Sequence, residues 1–332
     1  MVTTRWGFCA TGRIAATVSR DLALVDGAVP AAVGSRDLGR AQAFAAEHGF
    51  ARAHGSYQAL LADEEVDVVY VATPHGQHHA VVSAALAAGK PVLVEKAFTV
   101  SAAAAADLVA RARASGLFLM EAMWTRFLPV VAELRRLVAE GAIGEIRSVD
   151  ADLGFRVPVD PAHRLWAPGL GGGALLDLGV YPVSFAHMLL GPPSSVAATG
   201  SLGHTGVDAD VGLLLGWPDG AHARLACSLT SAVEGRALVT GTRGRIELPT
   251  PFHHPPHLLL HREDGGTEVV EAPPVGRGYS HQLVEVQRCL AEGLTESPVM
   301  PLADTLAVMD TLQQALDELG SLPVDEGFAA PR

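Results

Sequence analysis

The stretch RWGFCATGRIAATV, residues 5–18, passes from a strand pattern through a turn of small residues into a helix pattern. Its spacing, Ala10-x-Gly12-x-x-Ala15, is similar to a G-x-G-x-x-G/A turn. In that turn, small residues let the backbone approach a pyrophosphate at a helix N-terminus. Alanine replaces the first glycine here, and the second is kept. We expect dinucleotide contacts from Ala10, Thr11, Gly12, Arg13 and Ile14.

Strand and helix patterns continue to alternate up to about residue 122. The buried strand VDVVYVATP (66–74) is followed by a helix pattern, and PVLVEKAF (91–98) by another. Alternation of this kind predicts an α/β fold with a doubly wound parallel sheet of the Rossmann type. We assign residues 1–122 to this dinucleotide-binding domain.

Beyond residue 122 the pattern changes to one long helix and then to paired strands. Pro-Asp-Gly separates two strand runs within residues 211–229, and Thr-Arg-Gly separates two more within 236–248. Both predict hairpins. We expect residues 123–332 to form an α+β domain for substrate binding and oligomerisation, with a large, mostly antiparallel open sheet. Its last helix is free to pack back on the first domain.

Composition restricts the partners of this chain. It has 332 residues, and 24 basic against 36 acidic residues give a net charge of −12. An acidic chain without a basic stripe argues against nucleic acid or membrane as a partner. The three cysteines lack C-x-x-C spacing, and neither a signal peptide nor a membrane span is evident. We expect a cytoplasmic protein that binds a small molecule.

The end of the second predicted strand bears on cofactor choice. An acidic residue at this place suits the ribose hydroxyl of NAD, whereas an arginine suits the 2′-phosphate of NADP. Ser35 and Arg36 offer a hydroxyl and a guanidinium, which favours NADP. Asp37 follows directly, so NAD stays possible.

The next two strand ends carry polar groups at the edge where such sheets bind ligands. Thr73, Pro74, His75 and His78 follow one strand, and Glu95 and Lys96 end the other. A lysine facing the cofactor can donate a proton or orient a hydroxyl. The histidines of this region, and those of PFHHPPH (251–257), fit no familiar metal spacing, so we expect no metal site.

Two further segments carry polar and aromatic side chains. In GGGALLDLGVY (171–181), Asp177 and Tyr181 are four residues apart, so a helix would place them on one face. Trp124 and Arg126 follow the last strand of the first domain, where they would face a cleft between the domains.

Together these segments resemble the Gfo/Idh/MocA family of NAD(P)-dependent oxidoreductases along nearly the whole chain. The resemblance rests on Thr-Pro-His at 73–75, AGKPVLVEK at 88–96 and GGGALLDLGVY at 171–181. With FLMEAMWTRFLP (118–129) the chain is most similar to the subgroup of dimeric dihydrodiol and NADP-dependent D-xylose dehydrogenases. The likeness implies Lys96, Asp177 and Tyr181 as catalytic residues and a substrate cleft formed by Trp124, Arg126, Phe155, Tyr181 and Tyr279.

Two residues depart from the family pattern. Ala10 adds a methyl group beside the pyrophosphate, which we expect the turn to tolerate because Gly12 is kept. Ala97 stands where the family carries proline. Because cis peptide bonds are common only before proline, the turn at Lys96 is either cis without proline or rebuilt as trans.

The resemblance implies an NADP-dependent oxidoreductase that transfers hydride between the nicotinamide and a sugar, cyclitol, keto-sugar or dihydrodiol. Tyr181 would be the general acid/base, with its phenol pKa lowered by the Lys96 ammonium. Two alternatives stay open: a non-catalytic NADP-binding sensor or structural protein, and an NAD-dependent lyase or glycosidase with tightly bound cofactor. A homodimer or higher homo-oligomer would form through the C-terminal sheet.

Overall fold

The parallel sheet lies in the first part of the chain. A computed structural model describes residues 3–325. The sheet has six parallel strands in the order β3-β2-β1-β4-β5-β6. Its strands and helices are β1 (Thr4–Cys9), α1 (Arg13–Leu22), β2 (Ala28–Gly34), α2 (Leu38–His48), β3 (Arg52–His54), α3 (Tyr57–Leu61), β4 (Val68–Val71), α4 (His78–Ala87), β5 (Val92–Glu95), α5 (Ala102–Ser115) and β6 (Leu119–Ala122).

Burial explains why these segments are strands. All four residues of β4, β5 and β6 are buried, as expected for mostly apolar strands between helical layers. The strand order reverses between β1 and β4, and ligands bind at the carboxyl ends of strands beside such a reversal. The predicted doubly wound sheet is therefore confirmed.

The second sheet has eight strands in the order β14-β13-β12-β11-β7-β10-β9-β8. Only β7 and β10 pair in parallel, so the sheet is mostly antiparallel, as expected. Both predicted hairpins are present, as β9–β10 and β11–β12. The elements of this part are α6 (Pro129–Ala139), β7 (Ile146–Gly154), α7 (Val180–Leu190), β8 (Ser195–Leu202), β9 (Asp208–Gly216), β10 (His222–Ser228), β11 (Ala237–Gly241), β12 (Gly244–Leu248), β13 (His257–Arg262), β14 (Thr267–Glu271), α8 (Ser280–Ala291) and α9 (Leu302–Leu319).

Helix α7 is preceded by a π-helical turn over Leu175–Gly179. The sequence predicted a regular helix through Asp177 and Tyr181, whereas the π turn holds Asp177 and the α-helix begins at Val180. Such turns widen a helix locally and are frequent at functional sites. The span Pro168–Leu190 is apolar and long enough to cross a membrane, but an 18-residue stretch within it is 83% buried inside the protein.

Helix α9 contacts the parallel sheet through buried polar groups. Thr305 donates from Oγ1 to Glu121 Oε2 of β6 at 3.0 Å. The Arg126 guanidinium lies close by and donates to Asp304 Oδ2 at 2.5 Å. Burial raises the pKa of Glu121 to about 7, and the hydrogen bond from Thr305 opposes this shift only in part. This carboxyl group therefore ionises at a cost in stability.

We expect the Glu121→Gln variant to remove a pH dependence from folding. A carboxyl group whose pKa is raised by folding contributes stability that is full below its unfolded pKa and is lost as the pH rises through the folded value. The free energy of unfolding of the wild type should thus fall, relative to Glu121→Gln, by on the order of 2 kcal/mol between about pH 4.5 and pH 7.5.

Urea unfolding followed by circular dichroism across that range measures the difference. The exposed Glu64 supplies the control, since Glu64→Gln should leave the pH dependence of the wild type in place. Parallel pH curves for the wild type and Glu121→Gln would contradict the prediction.

Candidate active site

A cleft of about 980 Å³ lies at the carboxyl ends of the parallel strands and is closed on its other side by α7 and the second sheet. It brings together most of the residues that the sequence singled out. Those that line it are Ala10, Thr11, Gly12, Arg13, Ile14, Ser35, Arg36, Thr73, Pro74, His75, Glu95, Lys96, Phe155, Asp177, Tyr181 and Tyr279.

The turn between β1 and α1 forms one end of the cleft. Helix α1 begins after Gly12 and has no side-chain cap, so the backbone N–H groups of its first turn are free to bind an anion. A Cβ built on Gly12 meets nothing within 4 Å, which leaves room for a bound group. Ala10 has a φ of 97°, in the left-handed region that favours glycine. The site therefore fits a dinucleotide pyrophosphate.

At the end of β2, the three polar residues have different environments. Ser35 is buried, whereas the Arg36 side chain is exposed at the cleft. The Asp37 carboxylate caps α2 by accepting a hydrogen bond from the backbone N–H of Arg40 at 2.9 Å. Asp37 thus already has a structural partner, while the Arg36 guanidinium is open to a ligand.

Two histidines support the turn that carries Lys96. The ring nitrogens of His75 lie 3.0 Å from the carbonyl oxygens of Gly171 and Lys96. His78 is fully buried behind the cleft, with Nε2 2.8 Å from the Thr73 carbonyl and Nδ1 3.0 Å from that of Ala97. The structure therefore does not bring His78 to the cleft. The Lys96–Ala97 peptide bond is cis, which answers the question left open by the missing proline.

Lys96 and Asp177 meet at the centre of the cleft. The Lys96 ammonium donates to the backbone carbonyl of Asp177 at 2.7 Å and lies 3.5 Å from its carboxylate. Arg164 donates to the same carboxylate at 2.9 Å. Burial alone would raise the pKa of Asp177, but the positive charges of Lys96 and Arg164 outweigh burial and hold it well below its usual value. Asp177 is therefore a fixed anion.

Tyr181 lies beside this pair with its hydroxyl anchored. The indole N–H of Trp124 donates to Tyr181 Oη at 2.9 Å. Burial raises the pKa of Tyr181 well above its usual value, and the Trp124 hydrogen bond opposes this only in part. The expectation that Lys96 lowers this pKa is wrong. The ammonium lies 4.6 Å from the centroid of the Tyr181 ring, so it faces the ring.

The predicted substrate residues divide into two groups. Phe155, 46% exposed, and Tyr279 line the cleft. Trp124 lies behind the cleft wall, where its ring stacks on Tyr279 at a centroid distance of 4.2 Å. Arg126 is not brought to the cleft. Its guanidinium is buried and donates to Ser184 and Asp304, because a buried cation needs such partners.

Glu95 also lines the cleft, and its carboxyl group has a buried hydrogen-bond partner. The Tyr70 hydroxyl donates to Glu95 Oε1 at 2.6 Å. Burial raises the pKa of Glu95, and the Tyr70 hydrogen bond and the nearby Lys96 charge oppose the shift. One oxygen of this carboxyl group is thus fixed in place at the floor of the cleft.

Sequence reasoning missed several residues that line the cleft. Arg164 is the most important of them, since it contacts Asp177 from a loop 13 residues earlier in the chain. His253 packs against Tyr181 with ring centroids 5.1 Å apart. An arginine in a loop and a histidine in a proline-rich segment give no periodic pattern, so only the folded chain reveals them. Other additions are Thr17, Arg40, Tyr57, Gln77, Leu153 and His163.

Comparison with known families identifies the chain. One family model, described as an oxidoreductase family with an NAD-binding Rossmann fold, matches residues 4–123. A second, described as a GFO/IDH/MocA C-terminal domain, matches residues 131–247. The chain belongs to the Gfo/Idh/MocA oxidoreductase family. It is therefore an NAD(P)-dependent oxidoreductase acting on CH–OH groups, as its sequence implied.

Members of the family from animals are similar along almost the whole chain. The protein from Macaca fascicularis named trans-1,2-dihydrobenzene-1,2-diol dehydrogenase is 39% identical over 97% of this chain and 99% of its own. The protein of the same name from Homo sapiens is 38% identical, with the same coverage of 97% and 99%.

Two solved structures of oxidoreductases share the architecture. A 3-ketoreductase from Actinomadura kijaniata, in complex with NADP and TDP-benzene, gives a TM-score of 0.83 at 28% identity over 95% of this chain and 98% of its own. An aldose-aldose oxidoreductase from Caulobacter crescentus gives a TM-score of 0.88 over 96% of this chain and 98% of its own. At 24% identity, the second likeness concerns the fold alone.

We expect Ala10→Gly to stabilise this family member. Relieving an alanine at positive φ gains about 1–3 kcal/mol, against about 0.5–1 kcal/mol for the greater chain entropy of glycine. The net gain should be about 1 kcal/mol in urea unfolding. The control is Ala62→Gly, where φ is −81° and the same change should destabilise. Equal losses in both variants would contradict the prediction.

Proposed function

We propose that this chain is an NADP-dependent dehydrogenase that interconverts a secondary alcohol and a carbonyl group on a cyclic diol or sugar-like substrate. The observation that carries the proposal is the convergence of Lys96, Asp177 and Tyr181 in a cleft that also contains the dinucleotide turn. NADP bound along that turn would supply the hydride chemistry. The protein would orient the substrate and manage the proton.

Tyr181 is assigned the proton transfer to and from the substrate oxygen. Its Oη accepts a hydrogen bond from Trp124, so its own proton is free to point into the cleft. Because burial raises the pKa of Tyr181, the phenol stays protonated at neutral pH and acts most readily as a donor in carbonyl reduction. Lys96, fixed on Asp177, supplies the positive charge beside the substrate oxygen as negative charge develops there.

The proposed cofactor site extends from the turn to the end of β2. Ala10, Thr11, Gly12, Arg13 and Ile14 would hold the pyrophosphate. Ser35 and Arg36 would hold the 2′-phosphate, with Arg40 as a second cation on the same side. Thr73, Pro74, His75 and Glu95 would contact the nicotinamide end. Asp37 caps α2 with its carboxylate, so the 2′-phosphate is assigned to Arg36 and Arg40.

The substrate end of the cleft supports a ring-shaped substrate. Phe155, Tyr181 and Tyr279 offer apolar rings, while Arg164 and His163 offer polar atoms at the rim. Such a wall suits a flat or cyclic molecule that carries hydroxyl groups. The relatives named as dehydrogenases of trans-1,2-dihydrobenzene-1,2-diol fit this chemistry, which makes that compound the first substrate to assay.

We expect Lys96→Met and Tyr181→Phe each to lower kcat at least a hundredfold while NADP+ binding changes less than threefold. Each removes a group that acts on the substrate oxygen and neither removes a phosphate contact. Nicotinamide absorbance measures turnover of trans-1,2-dihydrobenzene-1,2-diol and of monosaccharides, and calorimetry measures NADP+ and NAD+ affinity. Loss of cofactor binding without an effect on kcat would contradict these roles.

The same assay decides between the open alternatives. A non-catalytic sensor would bind NADP+ with no turnover of any diol, inositol, keto-sugar or monosaccharide. A lyase or glycosidase would consume substrate with cofactor that does not dissociate and no net change in nicotinamide absorbance.

For oligomeric state, we propose a homodimer in which the open face of the second sheet covers that of another copy. A depression of about 720 Å³ on this face is lined by residues of β7 to β11. Leu214 is 53% exposed there. The ion pairs Asp150–Arg224 and Glu234–Arg236 border it.

Three buried free cysteines suit a reducing compartment, which supports the cytoplasm as the location.

Leu214→Glu should convert that dimer to a monomer, because it places a charge on the covered face. Light scattering after gel filtration would show the wild type at twice the mass of one chain and the variant at that of one. Val284→Glu is the control, since Val284 is equally exposed on α8, away from this face. A monomeric wild type would overturn the proposed assembly.

A further inference from the structure

Asp21, in the last full turn of α1, is a buried carboxylate with an unusual set of partners. It is 2% exposed, and no arginine or lysine pairs with it among residues 3–325. Its carboxylate instead accepts backbone N–H groups from a distant loop, those of Arg277 at 3.0 Å, Tyr279 at 2.8 Å and Ser280 at 3.3 Å. These N–H groups stand at the start of α8, where the first amides of a helix lack partners within the helix.

The loop is shaped around this carboxylate. Gly276 and Gly278 have φ angles of 63° and 97°, in the left-handed region that favours glycine. A Cβ on Gly276 would lie 2.5 Å from Asp21 Oδ1, and one on Gly278 would lie 2.8 Å from Leu128 Cδ2. Alternating backbone conformations of this kind turn successive N–H groups towards one anion. The loop therefore wraps closely around Asp21.

The residue presented by this loop is Tyr279, which lines the cleft. Its ring stacks on Trp124 with an interplanar angle of 24°, and Trp124 in turn donates to Tyr181. Both ends of helix α1 thus contribute to the cleft. Its first residues, Arg13 and Ile14, lie in the dinucleotide part of the cleft. Its last turn holds the aromatic wall through Asp21.

We propose that Asp21 is a positioning residue that holds Tyr279 in the substrate wall and ties that wall to the cofactor-binding helix. The proposal rests on the proposed function only in taking Tyr279 as a substrate contact. Hydrogen bonds to a charged acceptor are shorter and stronger than neutral ones, so the carboxylate fixes the loop more firmly than an amide could. An asparagine at position 21 would also direct its NH2 group, a hydrogen-bond donor, towards backbone N–H groups of the loop that need an acceptor.

The principal test is Asp21→Asn in the NADP+-loaded enzyme with trans-1,2-dihydrobenzene-1,2-diol as substrate. KM should rise about tenfold, while kcat and the dissociation constant of NADP+ change less than threefold. Asp26→Asn removes an equal charge from the exposed end of the same segment and should leave all three unchanged. An unchanged KM in a folded Asp21→Asn protein would overturn the proposal.

A double-mutant cycle separates positioning from general destabilisation. Tyr279→Ala should raise KM by itself. If Asp21 acts through Tyr279, adding Asp21→Asn to Tyr279→Ala raises KM no further. Additive effects of the two substitutions would overturn the proposal, because they would show that Asp21 acts elsewhere.

A second measurement does not depend on turnover. Amide hydrogen exchange followed by mass spectrometry should show a peptide spanning residues 274–283 exchanging at least tenfold faster in Asp21→Asn than in the wild type or Asp26→Asn. Gly276→Ala breaks the same contact from the side of the loop. It replaces Asp21→Asn in this experiment if Asp21→Asn fails to fold. Unchanged exchange overturns the positioning role, whereas faster exchange in a protein that turns over no substrate supports it and contradicts only the proposed function.

Discussion

The contact of the Lys96 ammonium with Asp177 is the point on which the site depends. Lys96 directly follows β5 of the parallel sheet, and Asp177 lies on the π turn that leads into α7. The ammonium is held by a backbone carbonyl at 2.7 Å as well as by the carboxylate, so its position follows the helix backbone. Because both groups are nearly buried, neither can exchange its partner for water without cost. The cleft has this pair at its centre.

The electrostatic environment gives Lys96, Asp177 and Tyr181 different roles. Lys96 and Arg164 keep Asp177 ionised, whereas burial keeps the phenol of Tyr181 protonated. A fixed anion and a neutral donor therefore lie within one cleft. Environments that push neighbouring titratable groups in opposite directions are typical of sites that handle protons. In the proposed mechanism the Lys96 ammonium would stabilise charge beside the substrate oxygen, while burial keeps the Tyr181 phenol protonated.

The aromatic part of the cleft depends on a different buried charge. Asp21 binds backbone amides, so it can shape a loop whatever side chains that loop carries. The stack of Tyr279 on Trp124 and the hydrogen bond from Trp124 to Tyr181 then connect this loop to the catalytic candidates. Rigid support of this kind is what a site needs when its reacting groups must stay within a fraction of an ångström of productive geometry.

The sequence by itself determined the alternating fold, the hairpins and the turn around Gly12, because these follow from local spacing and from the rule that ligands bind at the carboxyl ends of parallel strands. The grouping of Lys96, Asp177 and Tyr181 was implied by the resemblance of their motifs to those of the family. It could not place Arg164 or Asp21, whose partners are distant in the chain or are backbone amides that leave no trace in side-chain patterns. Arg126 and Tyr181 show a second limit of prediction from the sequence. Their residue types indicated a substrate contact and a lowered pKa, but tertiary packing buried the guanidinium against Asp304 and raised the phenol pKa. Burial is a property of the folded chain, so only the tertiary structure decided these roles.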